Sequence, residues 1–162
     1  MLANLLRVIM RRIKSSKGLR SFIHIMSKLH LFVYRLSGGL LTSRMTLRGG
    51  GMLLLTTIGS KSGKERTVPL LYIKDANDIA IIASYGGLDQ YPGWWWNLKA
   101  NPEAQVQIRE KTIKVRAEQA DAATRSRLWP VFNKVFAGYK EYQSRTDREI
   151  PIVLLHPLQS AS

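Results

Sequence analysis

Residues 53–71, LLLTTIGSKSGKERTVPLL, place a basic, glycine-containing turn between two apolar runs that are typical of β-strands. Gly59 and Gly63 allow the backbone of this turn to curl close to a ligand. The turn also carries cations and hydroxyl groups, from Lys61, Lys64 and Arg66 and from Ser60, Ser62 and Thr67. Such a turn between strands predicts a binding site for a phosphorylated or polycarboxylated molecule. Taken alone, the segment fits a solvated hairpin tip equally well.

The spacing of this turn excludes the phosphate-binding loop of nucleoside triphosphatases. That loop needs four residues between its first glycine and a Gly-Lys pair, followed by Ser or Thr and a helix. Here three residues separate Gly59 from Gly63, and Glu65 follows Lys64. The residues beyond, TVPLLYIK, read as a strand, so the turn is predicted to join two antiparallel strands.

Charge is distributed unevenly along the 162 residues, whose formal net charge is +14. Residues 1–64 hold 12 Lys and Arg and no acid, whereas residues 65–162 hold 13 basic and 11 acidic residues. This asymmetry predicts an anionic partner for the N-terminal part, either a nucleic acid or a membrane surface.

The first residues favour the membrane, because their cations are interleaved with an apolar stripe. The periodicity predicts a helix with an apolar face of Leu2, Leu5, Leu6, Ile9, Met10 and Ile13 and a basic face of Arg7, Arg11 and Lys14. A helix packed on the protein's own core is an equal alternative. A second periodic segment follows over residues 22–36, and no uncharged stretch reaches the roughly 18 to 20 residues that span a bilayer. We therefore expect a cytoplasmic protein, peripheral at the inner face of the plasma membrane.

The chain divides into a basic amphipathic helical segment, residues 1–48, and a folded domain, residues 49–162. In the domain, β-branched and apolar runs predict strands near residues 52–58, 67–74, 79–84, 106–108, 113–117 and 150–155. One helix is predicted over 92–100, and another from Asp121 towards Tyr142, kinked or broken at Pro130. Short antiparallel strands with few helices predict a small β-barrel surrounded by helices rather than a doubly wound parallel sheet.

Aromatic residues supply the other candidate site features. Trp94, Trp95 and Trp96 are consecutive within the predicted helix, so their side chains point about 100° apart and cannot all enter one core. At least one is expected to face a ligand, a partner or a lipid. Further along, Phe136, Tyr139 and Tyr142 recur at helical spacing, which fits a core stripe or the rim of a pocket.

Hydrolytic and metal chemistry are poorly supported. His24, His30 and His156 show no ligand spacing, and the chain contains no cysteine. An anion-binding turn, aromatic walls and few titratable groups are typical of a protein that positions a cofactor, which then performs the difficult chemical step.

Three stretches closely resemble the deazaflavin (coenzyme F-420)-dependent nitroreductase family of split β-barrel oxidoreductases. They are LLLTTIGSKSGKERTVPLLY, IIASYGGLDQYPGWWWNLKANPEAQVQI and YKEYQSRTDREIPIVLLHP, and the similarity spans about residues 29–157. The resemblance implies a six-stranded antiparallel split β-barrel of the FMN-binding-like type, mainly β with helices. It also implies hydride transfer from reduced coenzyme F-420 to a quinone, a nitroaromatic or an activated enone, and family members include membrane-associated quinone reductases.

The resemblance assigns roles to particular residues. It places the phosphate and glutamyl tail of the coenzyme at Lys61, Ser62, Gly63, Lys64 and Arg66, and the deazaflavin ring near Pro69, Ser84, Tyr85, Trp94 and Asn97. The acceptor side would be formed by Leu71, Phe136, Tyr139 and Tyr142. A phenol or hydroxyl from Tyr139, Tyr142 or Ser84 would stabilise negative charge on the acceptor oxygen.

This chain departs from the family pattern at four positions. Leu71 and Phe136 stand where tyrosine is found in the best-known nitroreductase, and Tyr85 stands where that protein has lysine. Ser60 replaces a basic residue that is usual in the turn, although Lys64 supplies a charge nearby. These changes remove polar groups from the acceptor side, so reduction of nitroimidazoles is not assured by the resemblance.

Two other functional classes stay open at this point. A non-catalytic split barrel would bind FMN or a fatty acid without turnover of reduced deazaflavin. A nucleic-acid-binding protein would bind DNA or RNA through residues 1–64 in a strongly salt-dependent way; the interleaved apolar residues argue against it. The sequence leaves the oligomeric state open.

Overall fold

The computed structural model describes residues 16–36 and 50–158. The first range is a single helix, α1 (Ser16–Leu36). The second holds six strands, β1 (Gly50–Ile58), β2 (Glu65–Asp75), β3 (Asp78–Ile82), β4 (Glu103–Ile108), β5 (Lys111–Gln119) and β6 (Ile152–Pro157). It also holds the helices α2 (Gly93–Ala100), α3 (Ala122–Val135) and α4 (Gly138–Gln143) and a 3₁₀ turn at Tyr85–Gly87. The amphipathic stripe predicted over residues 1–14 lies outside the described residues.

The six strands close into an antiparallel barrel in the order β1-β2-β3-β6-β5-β4. The β1–β2 ladder is the longest and runs from Gly50 opposite Ile73 to Ile58 opposite Glu65. A short ladder of Leu54, Leu55 and Thr56 with β4 closes the barrel. The predicted mainly β, antiparallel six-stranded barrel is thus confirmed, as is the strand-turn-strand arrangement of the basic segment.

Alternation along the strands builds two cores. The first set of side chains fills the interior of the barrel and includes Leu53, Leu55, Ile81, Val106, Val115 and Leu155. The other lies on the outer face of the sheet beneath α3 and α4 and includes Ile73, Ile82, Phe132, Val135, Ile150 and Ile152. Trp94, Trp95 and Leu98 of α2 belong to the first set, so this helix contributes one face to the barrel core. A strand whose inner and outer residues are both buried needs cover on the outside, and the helices provide it.

Two details of the predicted elements differ in the structure. The helix predicted from Asp121 towards Tyr142 passes Pro130 without a break but ends at Val135, and α4 follows as a separate helix. Pro130 and Ser126, whose carbonyl would otherwise accept a hydrogen bond from residue 130, are both exposed, so water can solvate the freed carbonyl. The third strand ends at Ile82 rather than at Ser84, because the chain turns through residues 84–87.

Side-chain contacts tie the helices to the barrel. Asp121 caps α3 by accepting a hydrogen bond from the Thr124 N–H at 2.7 Å. Arg127 of α3 donates two hydrogen bonds to the carboxylate of Asp75 at 2.7 and 2.8 Å. Helix α1 lies against β2, and the side chain of Ile23 approaches Gly86. Strand β2 is therefore contacted both by α1 and, through Asp75, by α3.

Candidate active site

The basic turn that follows β1 is closed by its own backbone. The Gly59 N–H donates to the Lys64 carbonyl at 2.8 Å, and the Gly63 N–H donates to the Gly59 carbonyl at 2.8 Å. Gly63 has φ of 65°, the left-handed region that glycine adopts without strain. Lys61, Ser62, Lys64 and the neighbouring Arg66 are all exposed. The turn therefore presents cations and a hydroxyl to solvent from a fixed backbone, as an anion-binding site requires.

Asn97 of α2 fastens this turn to the barrel. Its side chain is 9% exposed, donates to Thr57 Oγ1 at 3.0 Å, and accepts from the Ser60 N–H at 3.0 Å. Both ends of the amide are thus used inside the protein. Asn97 thereby supports the backbone of the turn, and its predicted place near the ring of a coenzyme stays a prediction.

An outward-facing strip of β2 leads away from the turn. Thr67, Pro69 and Leu71 alternate with Val68, Leu70 and Tyr72, which pack on the barrel core, so the first three face outward. All three are half-buried, and Thr67 shares a 2.9 Å hydroxyl–hydroxyl hydrogen bond with Thr56 of β1. From Glu65 to Leu71 a strand extends roughly 20 Å. Leu71 ends the strip against the outer core beneath α3 and α4.

The turn after β3 lies beside the far end of this strip. Tyr72 opposes Ile81 in the β2–β3 ladder, so the chain that continues past Ile82 runs next to Leu71 and Pro69. Here Tyr85 has φ of 47°, an uncommon value for a residue with a side chain, and Gly86 and Gly87 have φ of 67° and 77°. Ser84 and Tyr85 are half-buried. This strained turn brings both predicted residues to the same side of the barrel as Leu71.

An aromatic cluster of Phe136, Tyr139 and Tyr142 packs next to that turn. The ring centroids lie 5.2 Å apart for Phe136 and Tyr139, 5.9 Å for Phe136 and Tyr142, and 6.1 Å for the two tyrosines. A β-carbon on Gly87 would meet the Tyr142 carbonyl oxygen at 2.5 Å, which shows how closely the turn and α4 approach. The cluster therefore borders the Ser84–Gly87 turn.

The two phenols of the cluster differ in exposure. Tyr139 is 5% exposed and also packs edge-on against Phe132, whereas Tyr142 is half-buried. Burial raises the pKa of Tyr139 well above its ordinary value, and it also raises the pKa of Tyr142. Neither hydroxyl donates to another described residue, so both are neutral donors available to a ligand oxygen.

The three consecutive tryptophans of α2 lie in different surroundings. Trp94 is 7% exposed and packs in the barrel core. Trp95 is buried as well, and Trp96 is the exposed member of the three, at 54%. Tyr91 stacks on Trp95 and meets Trp96 edge-on. The exposure of Trp96 confirms the prediction that the three rings cannot all enter one core.

The structure thus unites three groups of predicted residues on one side of the barrel. They are the basic turn, the outward strip with the Ser84–Tyr85 turn, and the aromatic cluster of α4. No sequence pattern pointed to Thr57, which holds Asn97, or to Arg148, whose partners are carbonyls distant in sequence. Within residues 16–36 and 50–158, no cluster of three or more His, Asp or Glu could hold a metal ion. In the same ranges no helix combines the length and apolarity needed to cross a bilayer.

Known proteins are similar to this chain in sequence and in fold. The family described as F420H(2)-dependent quinone reductase matches residues 26–157. The chain is similar to the F420H(2)-dependent quinone reductase Rv1261c of Mycobacterium tuberculosis, with 39% identity over 131 residues that cover 79% of this chain and 87% of that protein. The solved structure of an F420-H2 dependent reductase, FDR-A, superimposes with a TM-score of 0.60 and 37% identity, covering 65% of this chain and 93% of that one.

A more distant structure matches in fold alone. The heme storage protein HutZ from Vibrio cholerae superimposes with a TM-score of 0.54 at 12% identity, covering 74% of this chain and 89% of that one. At that identity the likeness establishes the split-barrel architecture and nothing about the ligand.

Proposed function

From the premise that this chain belongs to the F420H(2)-dependent quinone reductase family, we propose that it transfers a hydride from reduced coenzyme F-420 to a quinone. The chain is an oxidoreductase of that family, and coenzyme F-420 is its cofactor. The observation that carries the proposal is that β2 leads from the exposed basic turn to Leu71, which packs in the same outer core as Tyr139 and Tyr142.

The residues present fit this coenzyme along its length. The exposed cations Lys61, Lys64 and Arg66 match its phosphate and carboxylate tail, since charge-assisted hydrogen bonds are the strongest polar contacts a protein offers. The apolar strip of Pro69 and Leu71 matches a flat ring system rather than a further charged group. The distance of roughly 20 Å between the two parts suits an elongated molecule with an anionic end.

The chain's own residues bind and orient the reactants. Bound reduced coenzyme F-420 supplies a hydride, and reduction of a quinone to a quinol takes that hydride together with one proton from solvent. Because burial raises the pKa of both phenols, Tyr139 and Tyr142 act as hydrogen-bond donors to the acceptor oxygen. Ser84 supplies a third hydroxyl on the opposite side of the cluster. Phe136 and Leu71 contribute apolar surface that excludes water.

The composition of the acceptor side favours quinones over nitroaromatics and enones. Two positions where a polar group is found in the best-known nitroreductase are apolar here, Leu71 and Phe136. The remaining polar groups are phenols and one hydroxyl, which suit the carbonyl oxygen of a quinone. Nitroaromatic and enone reduction are the runner-up activities of the same site.

Anaerobic oxidation of reduced coenzyme F-420 by a panel of quinones, nitroaromatics and enones tests the proposal. We expect turnover with quinones to exceed turnover with the other two classes. Reduced FMN serves as the control cofactor in the same assay. Tight binding of FMN or of a fatty acid, without oxidation of reduced coenzyme F-420 by any acceptor, would favour the non-catalytic alternative instead.

Replacing the phenols tests their part in the reaction. We expect Tyr139→Phe and Tyr142→Phe each to lower kcat for quinone reduction by roughly two- to tenfold, the value of a hydrogen bond made mainly in the transition state. Coenzyme affinity should stay within about twofold. Tyr91→Phe removes a phenol outside the cluster and is the matched control. Wild-type kcat for both cluster variants would show that the phenols have no catalytic part.

The N-terminal part further supports attachment at the cytoplasmic face of a membrane. On α1, Phe22, Ile25, Leu29 and Phe32 follow helical spacing and are 43%, 64%, 51% and 61% exposed. The same helix is rich in basic residues, and residues 1–64 contain no acid. An apolar stripe beside unopposed cations suits an anionic lipid surface. Because α1 also contacts β2, attachment there would bring the acceptor side close to a lipid-soluble quinone.

Vesicle co-sedimentation of the full chain checks this attachment. We expect binding to anionic vesicles that weakens with salt, because each cation near the surface contributes about 1 kcal/mol and is screened over roughly 8 Å. The double variant Ile25→Ser/Phe32→Ser and a chain lacking residues 1–14 should both sediment less. Leu158→Ser, which removes an exposed apolar side chain beyond β6, is the control. Equal sedimentation of all four proteins would contradict a membrane role for α1 and for residues 1–14.

A further inference from the structure

Arg148, in the segment between α4 and β6, reaches across to the turn that follows β3. Its Nε donates to the Leu88 carbonyl at 2.8 Å, and its Nη2 donates to the carbonyls of Ser84 at 2.8 Å and Ala83 at 3.2 Å. Its guanidinium also lies 4.7 Å from the ring centroid of Tyr91. One half-buried side chain thus holds the backbone on both sides of the Tyr85–Gly87 turn.

The backbone around Arg148 is itself fixed to α4 and to the same loop. Gln143, the last residue of α4, donates to the Arg148 carbonyl at 2.8 Å. Thr146 donates its hydroxyl to the Asp89 carboxylate at 2.8 Å and accepts from the Arg148 N–H at 3.3 Å. Arg148 therefore joins the helix that carries Tyr139 and Tyr142 to the turn that carries Ser84 and Tyr85.

The turn has a strained shape, and Arg148 adds to the two backbone hydrogen bonds that close it, from the Gly87 N–H to the Ser84 carbonyl and from the Leu88 N–H to the Tyr85 carbonyl. Tyr85 has φ of 47°, and the Ser84 side chain makes no capping hydrogen bond to the turn. A guanidinium can satisfy several carbonyls at once from a planar fork, which the single ammonium of lysine cannot reproduce. The Nη1 atom of Arg148 is buried without a hydrogen-bond partner among the described residues, whereas Nε and Nη2 both donate to carbonyls of the turn segment.

We propose that Arg148 is a positioning residue for hydride transfer, which holds Ser84 and Tyr85 opposite the phenols of α4. This inference rests on the proposed function, since it assumes that those four residues surround the reactants. The side chain of Arg148 bonds to Leu88, Ala83 and Ser84, and none of these hydrogen bonds involves the basic turn proposed to hold the coenzyme tail. Its loss should therefore change the rate of the chemical step more than the affinity for coenzyme.

Arg125 offers a matched control. It is another half-buried arginine, with its guanidinium 4.6 Å from the Trp129 ring and hydrogen bonds to the Ile150 carbonyl and to Gln143. Among the described residues, its hydrogen bonds reach Ile150 and Gln143 and not the turn after β3, although Gln143 also bonds to the Arg148 carbonyl. Arg125→Lys thus reports what the loss of a comparable buried guanidinium does to the fold, and Arg148→Lys reports the same loss together with the loss of the turn's support.

The experiment measures kcat for quinone reduction, coenzyme affinity and amide hydrogen exchange in both lysine variants, at a temperature where both are folded. We expect Arg148→Lys to lower kcat at least tenfold, to leave the coenzyme Kd within about threefold, and to accelerate exchange at residues 84–88. Arg125→Lys should change none of these by more than about twofold. Equal loss of kcat in the two variants, or wild-type kcat in Arg148→Lys, would overturn the inference.

The hydrogen exchange separates this inference from the proposed function. A wild-type chain that oxidises no reduced coenzyme F-420 would overturn the proposed function. Unchanged protection of residues 84–88 in Arg148→Lys would overturn the positioning role whether or not the wild type is active.

Discussion

A chain carrying Lys61→Ala and Arg66→Ala together is expected to bind coenzyme F-420 more than a hundredfold more weakly than the wild type. Each charge-assisted contact contributes about 1.5 to 3 kcal/mol, so each single replacement should weaken binding about tenfold or more, and the two act on the same anionic tail. Both side chains are exposed, so their loss should leave the free energy of unfolding nearly unchanged. Fluorescence titration with oxidised coenzyme measures the affinity.

Lys74→Ala is the control for the removal of positive charge. Lys74 is an exposed lysine on β2, the strand that also carries Arg66, and it lies beyond Leu71 at the end of the outward strip. Its loss lowers the net charge by the same amount as either single replacement but removes no predicted contact with the tail. If Lys74→Ala weakened coenzyme binding as much as Lys61→Ala, the turn would provide general electrostatic attraction rather than a site.

The second large effect is expected from Gly87→Ala, which should lower the free energy of unfolding by about 3 kcal/mol. A new β-carbon would lie 2.5 Å from the Tyr142 carbonyl oxygen and 2.9 Å from its Cα, and neither backbone atom can move without shifting α4. The φ of 77° adds strain of roughly 1 to 2 kcal/mol for a residue other than glycine. The melting temperature should fall by on the order of 10 °C, as measured by circular dichroism.

Gly63→Ala separates backbone strain from steric overlap. Gly63 has φ of 65°, but a β-carbon there would meet no atom within 4 Å. We expect Gly63→Ala to lower the free energy of unfolding only through backbone strain, by about 1 kcal/mol. A Gly87→Ala protein that is no less stable than Gly63→Ala would mean that the turn and α4 do not pack as closely as the structure shows.

The sequence predicted the barrel because its strands are regular. Val106 and Ile108, and Ile113 and Val115, alternate with polar neighbours, and this period of two is the pattern of a sheet with one buried face. The basic turn could also be predicted from the sequence, since its glycines and cations all lie within residues 59–66. The predicted aromatic cluster came from spacing along a helix, and Phe136, Tyr139 and Tyr142 are indeed in mutual contact.

What the sequence did not predict depends on contacts between distant segments. Barrel closure directs Trp94 into the core and pairs Asn97 with Thr57, 40 positions earlier in the chain, and neither contact follows from the neighbouring residues in the sequence. Arg148 bonds to carbonyls, which every residue has, so no side-chain pattern marks its partners. The helix continues past Pro130 because the carbonyl that loses its hydrogen bond is exposed to solvent. A helical sequence pattern that contains a proline does not reveal this exposure.

The ladder that closes the barrel has a consequence for the motions of the molecule. In the part of the chain that the structure describes, β1 and β4 pair through only three residues, fewer than any other pair of neighbouring strands. Partial opening in native proteins starts where the fewest hydrogen bonds must break. Fluctuations should therefore break the hydrogen bonds between β1 and β4 first. Water would then reach Leu55 and Val106. The β1–β2 hairpin, with its basic turn, would then move as one unit. The strands β3, β6, β5 and β4 would stay paired with one another.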